Sequence, residues 1–131
     1  VIDHVSGWVL DTAALVAVVD RRVYAQSVLA LAHRYAITLV VPLPALSEAY
    51  DLRPAEVAGP RLAQLLNDPL LLAIDLEEVS PEVLTKLAEP VGGDRVAAFV
   101  AYLGAARGWP VLTSRPAVLH QVAPALMVIP A

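Results

Sequence analysis

The stretch Trp8-Val-Leu-Asp11 runs directly into Thr12-Ala-Ala-Leu-Val-Ala-Val-Val19. A short apolar run that ends in an acid and continues into an unbroken apolar segment reads as a strand passing into a buried helix. Asp11 then stands at the C-terminal end of the strand. Farther along, Ile37–Val41 is a second strand, and its Thr38-Leu-Val-Val41 portion is β-branched and wholly apolar. That composition suits a parallel strand covered on both faces by helices.

The rest of the chain follows the same alternation. Asp20 precedes Arg21-Arg22-Val23 and is expected to cap a helix running to about Tyr35. Pro42 and Pro44 end the second strand, and Ala45–Tyr50 begins a helix that carries Glu48. Pro54 opens another helix to about Leu66, Leu70–Ile74 is a third strand, and Ser80-Pro81-Glu82 is a helix-start signature. Gly92-Gly93-Asp94 breaks the chain before a helix over Arg95–Arg107. Gly108 stops that helix, and Pro110–Thr113 is a fourth strand. A helix at Pro116–Val122 and a strand at Ala125–Ile129 complete the order. This alternation predicts an α/β fold: a three-layer α/β/α domain over residues 1–131 with a central parallel sheet of about five strands.

Composition narrows the function. The chain has 131 residues, 58% hydrophobic and 17% charged, enough for one well-filled core. Mean hydropathy is +0.65, yet the apolar stretches are too short for a membrane span. Nine bases against thirteen acids give a net charge of -4, which argues against nucleic-acid capture by the whole surface. Cysteine is absent, which removes disulfides, thiol nucleophiles and thiolate zinc sites. No secretory leader pattern opens the sequence, so a cytoplasmic setting is expected. The apolar excess leads us to expect a homodimer.

Familiar motifs are missing. There is no G-x-G-x-x-G after the first strand, no phosphate-binding G-x-x-x-x-G-K-[ST], and no G-x-S-x-G elbow. His4, His33 and His120 lie at unrelated spacings, and the one lysine, Lys86, is misplaced for a phosphoreceiver. What remains is acids at strand ends. Asp11 closes the first strand, Glu48 follows the second, and Asp94 opens the helix before the fourth. Carboxylates from separate elements, gathered by crossover topology, make the outline of a hard-oxygen site for Mg²⁺ or Mn²⁺.

The run Trp8–Thr12, the stretch Pro42–Tyr50 with Glu48, and Arg107-Gly-Trp-Pro-Val-Leu-Thr-Ser114 resemble the PIN domain, the fold of VapC-type toxin ribonucleases. The resemblance implies a five-stranded parallel sheet and a carboxylate cluster holding Mg²⁺ or Mn²⁺. It also implies cleavage of single-stranded RNA, homodimers and, in the toxins, an antitoxin partner. Asp11 matches the family's first acid and Glu48 its second. Where the family has Leu-Thr-x-Asp, this chain has Leu112-Thr-Ser-Arg115, a base in place of the fourth acid. The third acid's spacing points to Ala97, whereas Asp94 stands three residues earlier, about 4.5 Å along a helix axis. The implied catalytic and metal residues are Asp11, Glu48 and Asp94. Thr12, Thr113, Ser114 and Arg115 are the candidate substrate contacts.

Two functions follow from this reading. One is a metal-dependent endoribonuclease; the other is a decayed PIN-fold protein that binds RNA or a protein partner. Arg115 reads as a surface base before Pro116, as a guanidinium that enters the acidic cleft and pairs with Asp11 or Glu48, or as a grip on a substrate phosphate. Arg21, Arg22, Arg34, Arg53, Arg61, Arg95 and Arg107 are candidates for an RNA-binding rim. Trp8 and Trp109 read as core or dimer-contact aromatics, and Phe99 and Tyr102 as core. Two Trp, four Tyr and one Phe are too few for an extended base-stacking platform.

Overall fold

A computed structural model of the chain describes residues 6–131, so His4 lies outside the described residues. Five strands form one sheet: β1 (Gly7–Leu10), β2 (Thr38–Pro42), β3 (Leu71–Ile74), β4 (Val111–Thr113) and β5 (Val128–Pro130). Their order is β3-β2-β1-β4-β5, and every neighbouring pair is parallel. Between them run α1 (Thr12–Val19), α2 (Val23–Arg34), α3 (Leu43–Asp51), α4 (Ala55–Leu66), α5 (Pro81–Ala88), α6 (Arg95–Arg107) and α7 (Pro116–Val122). The architecture is three-layer α/β/α with an all-parallel central sheet, as the alternation in the sequence predicts.

The apolar runs become the core. Val9 and Leu10 of β1, Leu39–Val41 of β2, and Val111 and Leu112 of β4 are buried, as strands covered on both faces must be. α1 buries Ala14, Leu15, Ala17 and Val19, and packs against β4 and against α2, α3 and α4. α6 buries every residue from Ala97 to Ala101, with Phe99 fully enclosed. Trp8, Tyr102 and Trp109 are half-buried and pack against this core. No helix among the described residues is long and apolar enough to cross a membrane.

Local signals set most boundaries. Ser80 accepts a hydrogen bond from the Val83 N–H and caps α5, and Asp94 does the same for α6 through Ala97 N–H at 3.0 Å. Gly108, at φ 67, ends α6 in the left-handed conformation that glycine adopts without a Cβ clash. Three expectations shift. β1 stops at Leu10, so Asp11 is the N-cap of α1 and not part of the strand. Asp20 does not cap α2; Arg22 occupies that position without a side-chain bond, and Asp20 is the C-cap of α1. The cause is a tight α1 terminus, in which Arg21 N–H bonds to the Val18 carbonyl and Arg22 N–H to the Ala17 carbonyl. β5 also lies later than the expected Ala125–Ile129, because pairing of Val111 with Val128 sets its register.

Candidate functional site

The strand order reverses beside β1. From it the chain first moves outward to β2 and β3, then returns to place β4 on the other side. In open parallel sheets the crevice at such a reversal, beyond the C-terminal ends of the strands, is where ligands bind. Asp11 follows β1 and Ser114-Arg115 follow β4, so the chain brings these residues to that crevice.

Asp11 is wholly buried. Its Oδ1 accepts from the Thr12 N–H at 2.6 Å, and its Oδ2 accepts from the Thr113 hydroxyl at 2.7 Å. The Thr12 hydroxyl donates in turn to Oε1 of Glu48 at 2.7 Å, which joins the start of α1 to α3. On the other side, the Thr113 hydroxyl accepts from the Arg115 N–H at 2.9 Å. The Arg115 guanidinium donates through Nη1 to Oδ2 of Asp94 at 3.2 Å. Glu48, Thr12, Asp11, Thr113, Arg115 and Asp94 thus form one hydrogen-bonded series that links all three candidate acids.

Thr12, Glu48, Asp94 and Arg115 line one open cleft of about 530 Å³, together with Asp51, Arg53 and an apolar side from Ala13, Val16 and Leu52. Asp11 and Thr113 lie behind this wall, and Ser114 lines an adjoining hollow with Asp20, Arg22 and Arg53. Arg115 therefore enters the acidic cleft, but its partner is Asp94. Asp11 accepts instead from the Thr12 N–H and the Thr113 hydroxyl.

Asp94 precedes α6 and stands one turn before Ala97. Ala97 is fully buried in α6, and the Asp94 carboxylate folds over the first helical turn to accept from its N–H. Among the described residues, no three Asp, Glu or His side chains converge closely enough to hold an ion jointly. Asp51 was not expected from the sequence. The signal for it is its position three residues after Glu48 on α3, the spacing that places two side chains on one helix face.

Charge at the cleft is mixed: three carboxylates face two guanidiniums. Arg53 also reaches past the cleft to Asp20, with Nε to Oδ1 and Nη2 to Oδ2 both at 2.8 Å. This two-pronged hydrogen bond holds the Asp20 carboxyl below its ordinary value and raises that of Arg53. Of the other rim candidates, Arg107 pairs with Glu78 and Arg34 stacks on Tyr35, so neither faces the cleft. No family model and no curated protein sequence matches the chain.

Proposed function

We propose that the chain is a PIN-fold, metal-dependent endoribonuclease that cleaves single-stranded RNA in the manner of VapC-type toxins. The observation that carries this reading is the convergence of Thr12, Glu48, Asp94 and Arg115 on one cleft at the sheet's reversal point, with Asp11 directly behind. The donor set fits a hard divalent cation. Glu48 and Asp94 offer carboxylate oxygens at the cleft wall, which is what Mg²⁺ or Mn²⁺ takes from a protein alongside its waters. Glu48 and Asp94 would hold the ion, with Asp11, the third acid of the reading, set behind them through Thr12. What such an ion supplies when bound is hydroxide near neutral pH and an offset to charge building on the phosphodiester.

The protein's own part is positioning. Thr12 orients Glu48, and Thr12 and Thr113 together fix Asp11. Arg115 and Arg53 present guanidiniums that suit phosphate oxygens, with Ser114 beside them. The test is cleavage of a fluorescent single-stranded RNA with Mg²⁺ or Mn²⁺ against EDTA, for wild type and Asp11→Asn purified in parallel. Cutting by the metal-loaded wild type alone supports the reading, and equal cutting by both proteins marks a contaminating nuclease.

A second reading is favoured by one contact. Arg115 stands where the family has its fourth acid and pairs with Asp94 at 3.2 Å, which supports a PIN-fold protein that no longer cuts and binds RNA or a protein partner. RNA retention in EDTA without cleavage in any metal would select it. Both readings carry the expectation of a cytoplasmic homodimer, and the toxin reading adds an antitoxin.

A further inference from the structure

At the opposite end of α1 from the acidic cleft, α2 and α4 frame a second hollow of about 320 Å³. The acidic cleft takes Thr12, Ala13 and Val16 from α1, and the hollow takes Val18 and then Arg21 just beyond the helix, so the two share no lining residue. Val18, Leu29 and Leu65 give this hollow an apolar lining, and Arg21, Arg61, Gln26 and Gln64 supply polar groups. An apolar lining with a few convergent polar groups is the common form of a small-ligand site, and the volume falls at the low end of the usual range of about 300–1,000 Å³.

The polar groups differ in how far they are committed. The one carboxylate there, Asp68, is engaged at both oxygens, by His33 Nε2 at 2.5 Å and by the Leu70 N–H at 2.9 Å. Arg61 uses Nη1 to cap the Val19 carbonyl at the end of α1, which leaves its other N–H groups for a ligand. Among the described residues, the side chains of Arg21, Gln26 and Gln64 make no hydrogen bond or ion pair. The hollow therefore offers two guanidiniums and two amides against a carboxylate that is already satisfied.

Arg21 stands at φ 53, the left-handed position after α1 that glycine usually fills. A side chain there costs about 1 kcal/mol. Ala36 ends α2 in the same conformation, but it brings only a methyl group. Arg21 brings a cation to the rim of the hollow.

Guanidiniums bind phosphate through paired N–H groups. A glutamine amide carries both a donor and an acceptor, the pattern that matches the edge of a nucleobase. The geometry points to a binding site for a nucleoside monophosphate, with Arg21 and Arg61 on the phosphate and Gln26 and Gln64 on the base. The volume of about 320 Å³ is on the scale of one small ligand. The inference is independent of whether the acidic cleft cuts RNA.

The test measures thermal stability and calorimetric binding of the full chain with each of the four ribonucleoside 5′-monophosphates, inorganic phosphate and the matching nucleosides. At least one monophosphate should raise the melting temperature of wild type in a saturable way. Arg21→Gly removes the left-handed penalty and the cation together. It should melt at or above wild type without ligand, yet bind the nucleotide at least tenfold more weakly. Gln64→Ala should weaken the nucleotide and leave inorganic phosphate unchanged. Lack of any saturable response at millimolar concentration, or undiminished binding by Arg21→Gly, overturns the site. Equal affinity for inorganic phosphate overturns its assignment to nucleotides.

Discussion

The Thr113 hydroxyl donates to Asp11 Oδ2 at 2.7 Å, joining the end of β4 to the end of β1 across 102 positions of sequence. It is one of two donors on a carboxylate with no exposed surface. Thr113→Val keeps the shape of the side chain and removes the donor, so one oxygen of a buried charged group loses its partner. A hydrogen bond to a charged group contributes about 1.5–3 kcal/mol, and we expect a loss of about 2 kcal/mol in urea unfolding with an unchanged denaturant slope. The same Thr113→Val change in an Asp11→Asn background should cost less. Equal costs in the two backgrounds would show that the two residues do not act as a pair.

The pair formed by Asp20 and Arg53 predicts a pH dependence. Arg53 holds the Asp20 carboxyl below its ordinary value through the two-pronged hydrogen bond. A folded-state value below the unfolded one means that the unfolded chain binds the proton more readily. The contribution is therefore complete above the unfolded value and is lost as pH falls through the lowered folded one. Asp20→Asn should be less stable than wild type near neutrality, and the two unfolding curves should converge in acid. Because both groups face solvent, added salt should shrink the difference. A gap that persists below the acid range would mean that Asp20 acts through its shape at the end of α1.

Gly104 of α6 lies against Val111 of β4 and against Leu126. A Cβ built there would stand 2.7 Å from Val111 Cγ2, 2.8 Å from Leu126 Cδ1 and 3.1 Å from the Trp109 carbonyl. Alanine gains about 1 kcal/mol of helix propensity over glycine. Forcing a methyl into a filled contact costs about 1–3 kcal/mol, and here one neighbour is backbone that cannot rotate away. Gly104→Ala should therefore destabilise the protein in chemical denaturation. A stabilised variant would show that α6 can move off β4 without loss.

Much of this organisation is legible in the sequence, because it is local. Asp94 and Gly108 bracket α6 with a capping carboxylate and a left-handed glycine, and the helix runs between them as read. β2 is legible because β-branched apolar residues in an unbroken run have few other places to go. Asp20 misleads for an equally local reason: an acid before Arg21-Arg22-Val23 has the form of an N-cap, but the tight end of α1 reaches Arg22 first and leaves Asp20 for Arg53. The site is less legible. The bond from Thr12 to Glu48 spans 36 positions, and that from Arg115 to Asp94 spans 21, so both depend on how helices seat on the sheet. Sequence spacing nominates the acids; only the packing decides which of them Arg115 meets.

Arg115 gives the sharpest prediction about the cleft. Its guanidinium donates to Asp94 Oδ2, while Asp94 Oδ1 stays on the Ala97 N–H. On the metal-dependent reading, a cation drawn to Asp94 would compete with a fixed positive charge, which would also repel it. Arg115→Asp removes the competitor and adds a fourth carboxylate. We expect Mn²⁺ to bind at least tenfold more tightly, about 1.4 kcal/mol, and to raise the melting temperature more than in wild type. Without metal, Arg115→Asp should be less stable, because its new charge lies near Asp94 and Glu48. Arg115→Gln separates the two effects, since it breaks the pair without adding an acid. If both variants gain equally, relief of competition is the whole effect. If neither gains, the cleft is not a metal site, and the acids serve to build the crevice for the partner or RNA of the non-cutting reading.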